Sequence, residues 1–230
     1  GVGLPSWAIL EQVLHAEALL QRERPEGGSA PANVVFMGMG EPLLNYRAVL
    51  AATRALCDSD PSRRVTVSTV GVTPRVATLA QDAPAGMRLA LSLHAPTQGL
   101  REQLMPKPAK AWPLEGLLRA VRGFQEATGT GVLLEYILIR GINDGEDHAS
   151  ELAQLLSREE LAFAGVNLIP YNPTVAGARA GFEAPTDAHC KAFRARLRRA
   201  GVGNATVRFS TKLGRRCGAA CGQLGLRGHS

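Results

Sequence analysis

The sequence predicts an α/β protein built on a parallel sheet with outer helices, curved into a partial (βα)6 barrel. Three observations lead there. Apolar, β-branched runs alternate with amphipathic stretches along almost all of the 230 residues, the pattern of successive βα units. The runs number six with roughly five helices between them, a count that suits a barrel or an open sheet better than a sandwich. Polar and glycine-bearing motifs then follow several of the runs directly, where parallel α/β folds keep their functional groups. Alternation alone does not separate a partial barrel from a doubly wound sheet.

The first element is a helix. Pro5 and Ser6 stand at its start, and Ile9, Leu10, Val13, Leu14 and Leu20 follow near 3.6 spacing. Strands are expected at Asn33–Met37, Arg64–Ser68, Arg88–His94, Val132–Ile139, Gly165–Ile169 and Thr206–Phe209. Helices are expected near 45–57, 73–81, 113–127, 146–157 and 186–200. Pro and Gly cluster at 25–32, 106–113 and 170–181, and these stretches read as loops. Periodic segments resume at once on either side of them, so residues 1–230 read as one domain whose residues 201–230 form a basic C-terminal strand and tail.

Composition narrows the class. With 45% hydrophobic residues the chain can bury the core of one domain. No run is long enough for a membrane span, and the N-terminus lacks the layout of a signal peptide, so a cytoplasmic protein is expected. Four cysteines, at 57, 190, 217 and 221, are too unevenly placed for a disulfide framework. The net charge is +6, and from Lys191 to Ser230 there are ten Lys or Arg and no Asp or Glu. Such a block suits a phosphate-binding face, or equally a solvated basic helix and tail. The chain opens on Gly1 and not on Met, as a processed, truncated or excised chain does.

The strand exits carry the candidate chemistry. Gly38-Met39-Gly40-Glu41-Pro42 follows the first strand; its glycines permit positive φ or close approach to a ligand, and Glu41 offers a carboxylate to a cationic amine. A plain βα turn is the alternative. Ser68 and Ser92, at the second and third exits, can bind a polar ligand or cap a helix. His94 can be a base, a ligand contact or a satisfied buried histidine, with no carboxylate in view to support the first. Asn172 lies between Pro170 and Pro173, which fix its backbone, and serves a ligand or a turn. In the tail, Cys217 and Cys221 sit among small and basic residues that would lower a thiol pKa and leave it accessible, or are incidental thiols in a frayed tail. Two cysteines without a nearby His make a poor zinc site, so no metal ligands are assigned. No Gly-rich phosphate loop late in the chain and no paired carboxylates at strand exits are visible, which counts against a barrel enzyme acting on a phosphorylated metabolite.

Six motifs together are more specific than any one. Phe36-Met37-Gly38-Met39-Gly40-Glu41-Pro42-Leu43, Val67-Ser68-Thr69-Val70-Gly71, Leu91-Ser92-Leu93-His94-Ala95-Pro96, Asn143-Asp144, Asn167-Leu168-Ile169-Pro170-Tyr171-Asn172-Pro173 and Ala219-Ala220-Cys221-Gly222-Gln223-Leu224 occur in one order. In that order and approximate spacing the chain, from about Leu4 to Leu224, resembles the dual-specificity 23S ribosomal RNA and transfer RNA adenine-C2 methyltransferases of the radical S-adenosylmethionine (SAM) superfamily.

The resemblance implies a radical SAM barrel with SAM and a 4Fe-4S cluster as cofactors. It implies that Gly40 and Glu41 contact SAM, the carboxylate reaching the methionyl amino group, and that Ser68, Ser92, Leu93, His94 and Asn172 supply further SAM contacts. Cys221 matches the cysteine that one SAM methylates and that passes the methyl to RNA. A second SAM, cleaved at the cluster, gives a 5′-deoxyadenosyl radical that takes hydrogen from the methylated thiol, and the carbon radical adds to adenine C2, a carbon with no lone pair for ordinary alkylation. The implied partners are 23S ribosomal RNA, transfer RNA and an external electron donor such as flavodoxin, acting on a monomer with no membrane association. A sister group that methylates C8 of the same adenine, and a cluster-free relative that only binds RNA or SAM, are alternatives.

The departures from the family pattern are equally specific. The family's C-x3-C-x2-C cluster motif lies just before the position that matches Gly1, and the four cysteines here contain no such triplet. The first barrel strand and cluster loop, the resolving cysteine, the acid–base glutamate and the N-terminal RNA-contacting domain would also precede Gly1. This chain alone is therefore expected not to cleave SAM reductively. Cys217 reads as a bystander to Cys221.

Overall fold

The structure, a computed structural model, describes residues 3–23, 33–37, 40–158 and 163–209. Helix α1 (Ser6–Glu23) leads into strand β1 (Asn33–Phe36), and a 3-10 turn (Pro42–Asn45) then opens α2 (Tyr46–Ser59). There follow β2 (Arg64–Thr69), α3 (Thr73–Asp82), β3 (Met87–Ser92), α4 (Gln98–Leu104), α5 (Pro106–Ala111) and α6 (Leu114–Thr128). The chain continues through β4 (Val132–Leu138), α7 (Glu146–Arg158), β5 (Phe163–Pro170), α8 (Val175–Arg179), α9 (Asp187–Arg199) and β6 (Ala205–Val207).

All six strands form one parallel sheet in the order β1-β2-β3-β4-β5-β6. Strand order decides what alternation left open. A doubly wound sheet reverses direction at a switch point, whereas here every crossover steps to the next strand in the same sense, as in a barrel wall. Leu89, Leu91, Leu134, Tyr136, Leu138 and Leu168 are buried along the central strands. The outer helices close over them with Val76 and Leu79 from α3, Leu117, Val121 and Phe124 from α6, and Phe193 and Leu197 from α9. Tyr136 meets Phe193 with ring centroids 5.6 Å apart, joining β4 to α9. At the other edge α1 packs Leu10 and Val13 against Leu56, Cys57 and Val65, and Glu17 pairs with Arg63 at 2.8 Å.

Two stretches expected to be loops contain helices. Residues 106–113 hold α5, and residues 170–181 hold α8. Proline density misleads in α5 because Pro106 and Pro108 occupy its first turn, where backbone N–H groups have no helical partner to lose. Helix α4, also absent from the sequence expectation, is capped by the Thr97 hydroxyl accepting from the Leu100 amide. Among the described residues no helix is long and apolar enough to cross a membrane.

Candidate functional site

The exits of β1 to β5 converge on one cavity of about 250 Å³, close to the ~300 Å³ at which small-molecule sites begin. Gly40, Glu41, Ser68, Ser92, His94 and Asn172 all line it. Short motifs separated by up to 132 positions thus become neighbours because parallel strands all exit on the same side.

Glu41 is the most firmly held of them. Its Oε1 accepts from the Leu43 amide at 3.0 Å and the Thr69 hydroxyl at 2.6 Å, while Oε2 accepts from the Val70 amide at 2.9 Å. Thr69 is aligned in turn by the Gly71 amide at 2.9 Å. The carboxylate therefore bridges the β1 and β2 exits with its rotamer set before a ligand arrives. Gly40 takes φ +106, a conformation that a side chain there would strain.

His94 turns the chain at the β3 exit with φ +59, the single positive value outside glycine among the described residues. Asn143 holds this bend. Its Nδ2 donates to the carbonyls of His94 at 2.9 Å and Ile137 at 2.6 Å, and its Oδ1 accepts from the Ile139 amide at 2.7 Å. Only one orientation of the amide satisfies all three groups. The Ile137 amide donates to His94 Nδ1 at 3.1 Å, so the proton of the neutral ring sits on Nε2. Burial, with the Arg101 charge adding to it, lowers the imidazole pKa to about 4. His94 is a neutral ring at the cavity wall with its Nδ1 satisfied by backbone. Arg101 lies fully buried behind it, donating to the carbonyls of Val70 and Trp112.

Ser68, next to the last residue of β2, and Ser92, the last of β3, line the cavity and cap no helix: α3 begins after Val72 and α4 after Thr97. Leu93 differs from its neighbours, for its side chain is buried in the core and its amide donates to the Glu135 carbonyl at 3.0 Å. Asn172 stands half-buried at the cavity wall beyond β5.

Two residues at the cavity carried no expectation. Thr69 positions Glu41 as described, and Glu135 lines the cavity from the middle of β4. The expectation concerned strand exits and stands for them, but a second carboxylate, Glu135, shares the cavity with Glu41. A strand interior and not an exit supplies the second, and its signal was a lone charge inside the apolar run Val132–Ile139.

Gly38, Met39, Cys217 and Cys221 lie outside the described residues. Cys57 and Cys190 are buried in α2 and α9, away from the cavity, and burial raises both thiol pKa values. No group of three His, Cys, Asp or Glu side chains suited to a metal occurs among the described residues.

Residues 13–153 match the radical SAM superfamily. The chain belongs to the radical SAM superfamily. Its similarity to curated relatives is closer still. It is 45% identical over 94% of its length to a probable dual-specificity RNA methyltransferase RlmN of Thermosynechococcus vestitus, covering 59% of that protein. It is 46% identical over 93% of its length to the protein of the same name from Moorella thermoacetica, again covering 59%. The chain thus spans about three-fifths of these relatives. Among solved structures, a radical SAM methyltransferase from Sphaerobacter thermophilus matches with a TM-score of 0.82 and 40% identity over 96% of this chain and 61% of its own. A domain of pyruvate-formate lyase-activating enzyme from Bacteroides vulgatus shares the fold, with a TM-score of 0.58 at 20% identity.

Radical SAM proteins use SAM and a 4Fe-4S cluster. The described residues of this superfamily member suit the first: a preset carboxylate, a glycine turn and polar strand ends surround a cavity of ligand size. They offer the cluster no set of thiolates.

Proposed function

We propose that this chain holds the SAM of an RNA methyltransferase that modifies C2 of adenine in 23S ribosomal RNA and transfer RNA, with Cys221 as the carrier of the methyl group. The observation that carries the reading is the convergence of Gly40, Glu41, Ser68, Ser92, His94 and Asn172 on one cavity. SAM supplies a methyl group activated on a sulfonium. Glu41, fixed by Thr69 and Val70, binds the methionyl amino group; the Gly40 turn admits the ligand backbone to it. His94 donates from Nε2 as a neutral ring and does not add a positive charge beside the sulfonium. The exposed Lys191, Arg198 and Arg199 of α9 offer a basic face to RNA phosphates. The single sheet supports reading residues 1–230 as one domain.

The test uses a full-length protein that contains this chain together with the cluster-binding segment of its relatives, expressed in cells that lack 2-methyladenosine. Nucleoside mass spectrometry of ribosomal and transfer RNA should show 2-methyladenosine, and Cys221→Ala should abolish it. Appearance of 8-methyladenosine would move the reaction to C8. Unmodified adenine in both RNAs would overturn the reading.

A further inference from the structure

Arg101 is the largest side chain that the fold buries completely. It reaches from α4 to the β2 exit, and among the described residues no carboxylate pairs with it. Burial lowers its pKa only to about 10, so the guanidinium stays charged at neutral pH. An apolar residue would fill this space at no electrostatic cost, whereas a buried cation without a counter-ion needs oriented acceptors. Arg101 has two. Nη2 donates to the Val70 carbonyl at 2.5 Å and Nη1 to the Trp112 carbonyl at 3.3 Å, while Nε has no partner among the described residues. The Trp112 carbonyl stands at the C-cap of α5, where no helical N–H would use it.

The Val70 carbonyl belongs to a peptide on which the Glu41 site turns. The Val70–Gly71 peptide is held at both ends: its carbonyl accepts from Arg101, and its N–H donates to the Thr69 hydroxyl oxygen at 2.9 Å. A trans peptide points these two groups in opposite directions, so fixing one fixes the other. With the Thr69 oxygen engaged by Gly71, its proton goes to Glu41 Oε1 at 2.6 Å. Glycine at position 71, with φ +95, admits both this orientation of the peptide and the reversed one, in which the N–H turns away from Thr69. The guanidinium selects between them. Its base is fixed as well, for Gln98 donates to the Ala109 carbonyl at 3.0 Å and accepts from the Leu114 amide at 2.8 Å, tying α4 to α5 and α6.

We propose that Arg101 is a positioning residue for the amine-binding end of the cavity: it orients the Val70–Gly71 peptide, which through Thr69 orients the Glu41 carboxylate. The inference rests on the SAM reading of the cavity. Arg101 does not line the cavity itself, so its removal acts on the ligand's amino group through Glu41 and spares the nucleoside end.

The probes are S-adenosylhomocysteine, which is SAM without its reactive methyl, and its deamino counterpart, which lacks only the amino group. Calorimetric titration of a full-length protein that contains this chain should show tighter binding of S-adenosylhomocysteine. Arg101→Met, which fills the space without the donors, should weaken S-adenosylhomocysteine by about fivefold or more, the value of one misdirected hydrogen bond, and the deamino compound by about twofold or less. Arg101→Lys keeps the charge, but a single ammonium does not span both carbonyls, so a loss of about threefold confined to the amino-bearing ligand is expected. Circular dichroism establishes which variants fold, and either one alone decides. Equal weakening of both ligands, or no weakening of S-adenosylhomocysteine, would overturn the role of Arg101 and leave the SAM site standing. No binding of S-adenosylhomocysteine by the parent protein, or equal binding of the two ligands by it, would overturn the SAM reading and this inference with it.

Discussion

Replacing Asn143 by Ala removes the amide that holds the His94 bend, and its cost follows from three hydrogen bonds of 2.6, 2.7 and 2.9 Å. Asn143 is fully buried, so water does not replace the lost partners. The Ile139 N–H is left without an acceptor, at a cost on the order of 1–3 kcal/mol. The two carbonyls each lose a donor, and His94 loses the group that stabilises its left-handed backbone, itself worth about 1 kcal/mol or more. Relaxation recovers part of this, and about 3 kcal/mol of net destabilisation is expected. For a chain of this size that corresponds to a fall in Tm of about 6–12 °C. The second consequence is functional. With the His94 carbonyl released, the imidazole no longer holds a fixed place at the cavity, and affinity for S-adenosylhomocysteine should fall by about tenfold. Differential scanning calorimetry and ligand titration read the two effects. A Tm within ~2 °C of the parent would refute the clamp. A full Tm loss with unchanged affinity would refute the link from Asn143 to the cavity.

Two further outcomes follow from the same geometry. At Gly71, φ is +95 and an added Cβ would stand 2.5 Å from a Leu117 methyl, so Gly71→Ala should cost about 2–4 kcal/mol in denaturant unfolding; a change below ~0.5 kcal/mol would contradict the packing of the β2 exit on α6. His94 has a folded pKa of about 4, below the ~6.5 of a free imidazole. The unfolded chain therefore binds the extra proton between these values, and stability should rise with pH across that window by roughly 3 kcal/mol from this group. His94→Gln should remove that slope, and an unchanged pH dependence in the variant would contradict a neutral His94.

The six strands were legible because each is a short run rich in apolar or β-branched residues with punctuation at both ends, and the sheet order then followed from simple winding. What composition could not show was how short polar and proline-rich stretches would be used. Helices α4, α5 and α8 are too brief for periodicity to register, and α5 carries prolines only where a helix tolerates them. The site was legible at its exits, since Gly40, Glu41, Ser68, Ser92, His94 and Asn172 do meet at the cavity. The residues that organise it were not. Thr69 looks like any strand threonine until its hydroxyl is seen on Glu41. Asn143 was visible as a motif, but its task of pinning two neighbouring strand exits exists only in three dimensions. Glu135 was concealed by its position inside a strand, where a sequence reading attends to the exits.

The central claim is that the cavity at the β1 to β5 exits binds SAM through Glu41. It is tested most directly by a crystal structure of the chain grown with S-adenosylhomocysteine. The account predicts the ligand in the cavity with its amino group within hydrogen-bonding distance of the Glu41 carboxylate. A ligand ordered elsewhere, or seated in the cavity with its amino group turned away from Glu41, would contradict it.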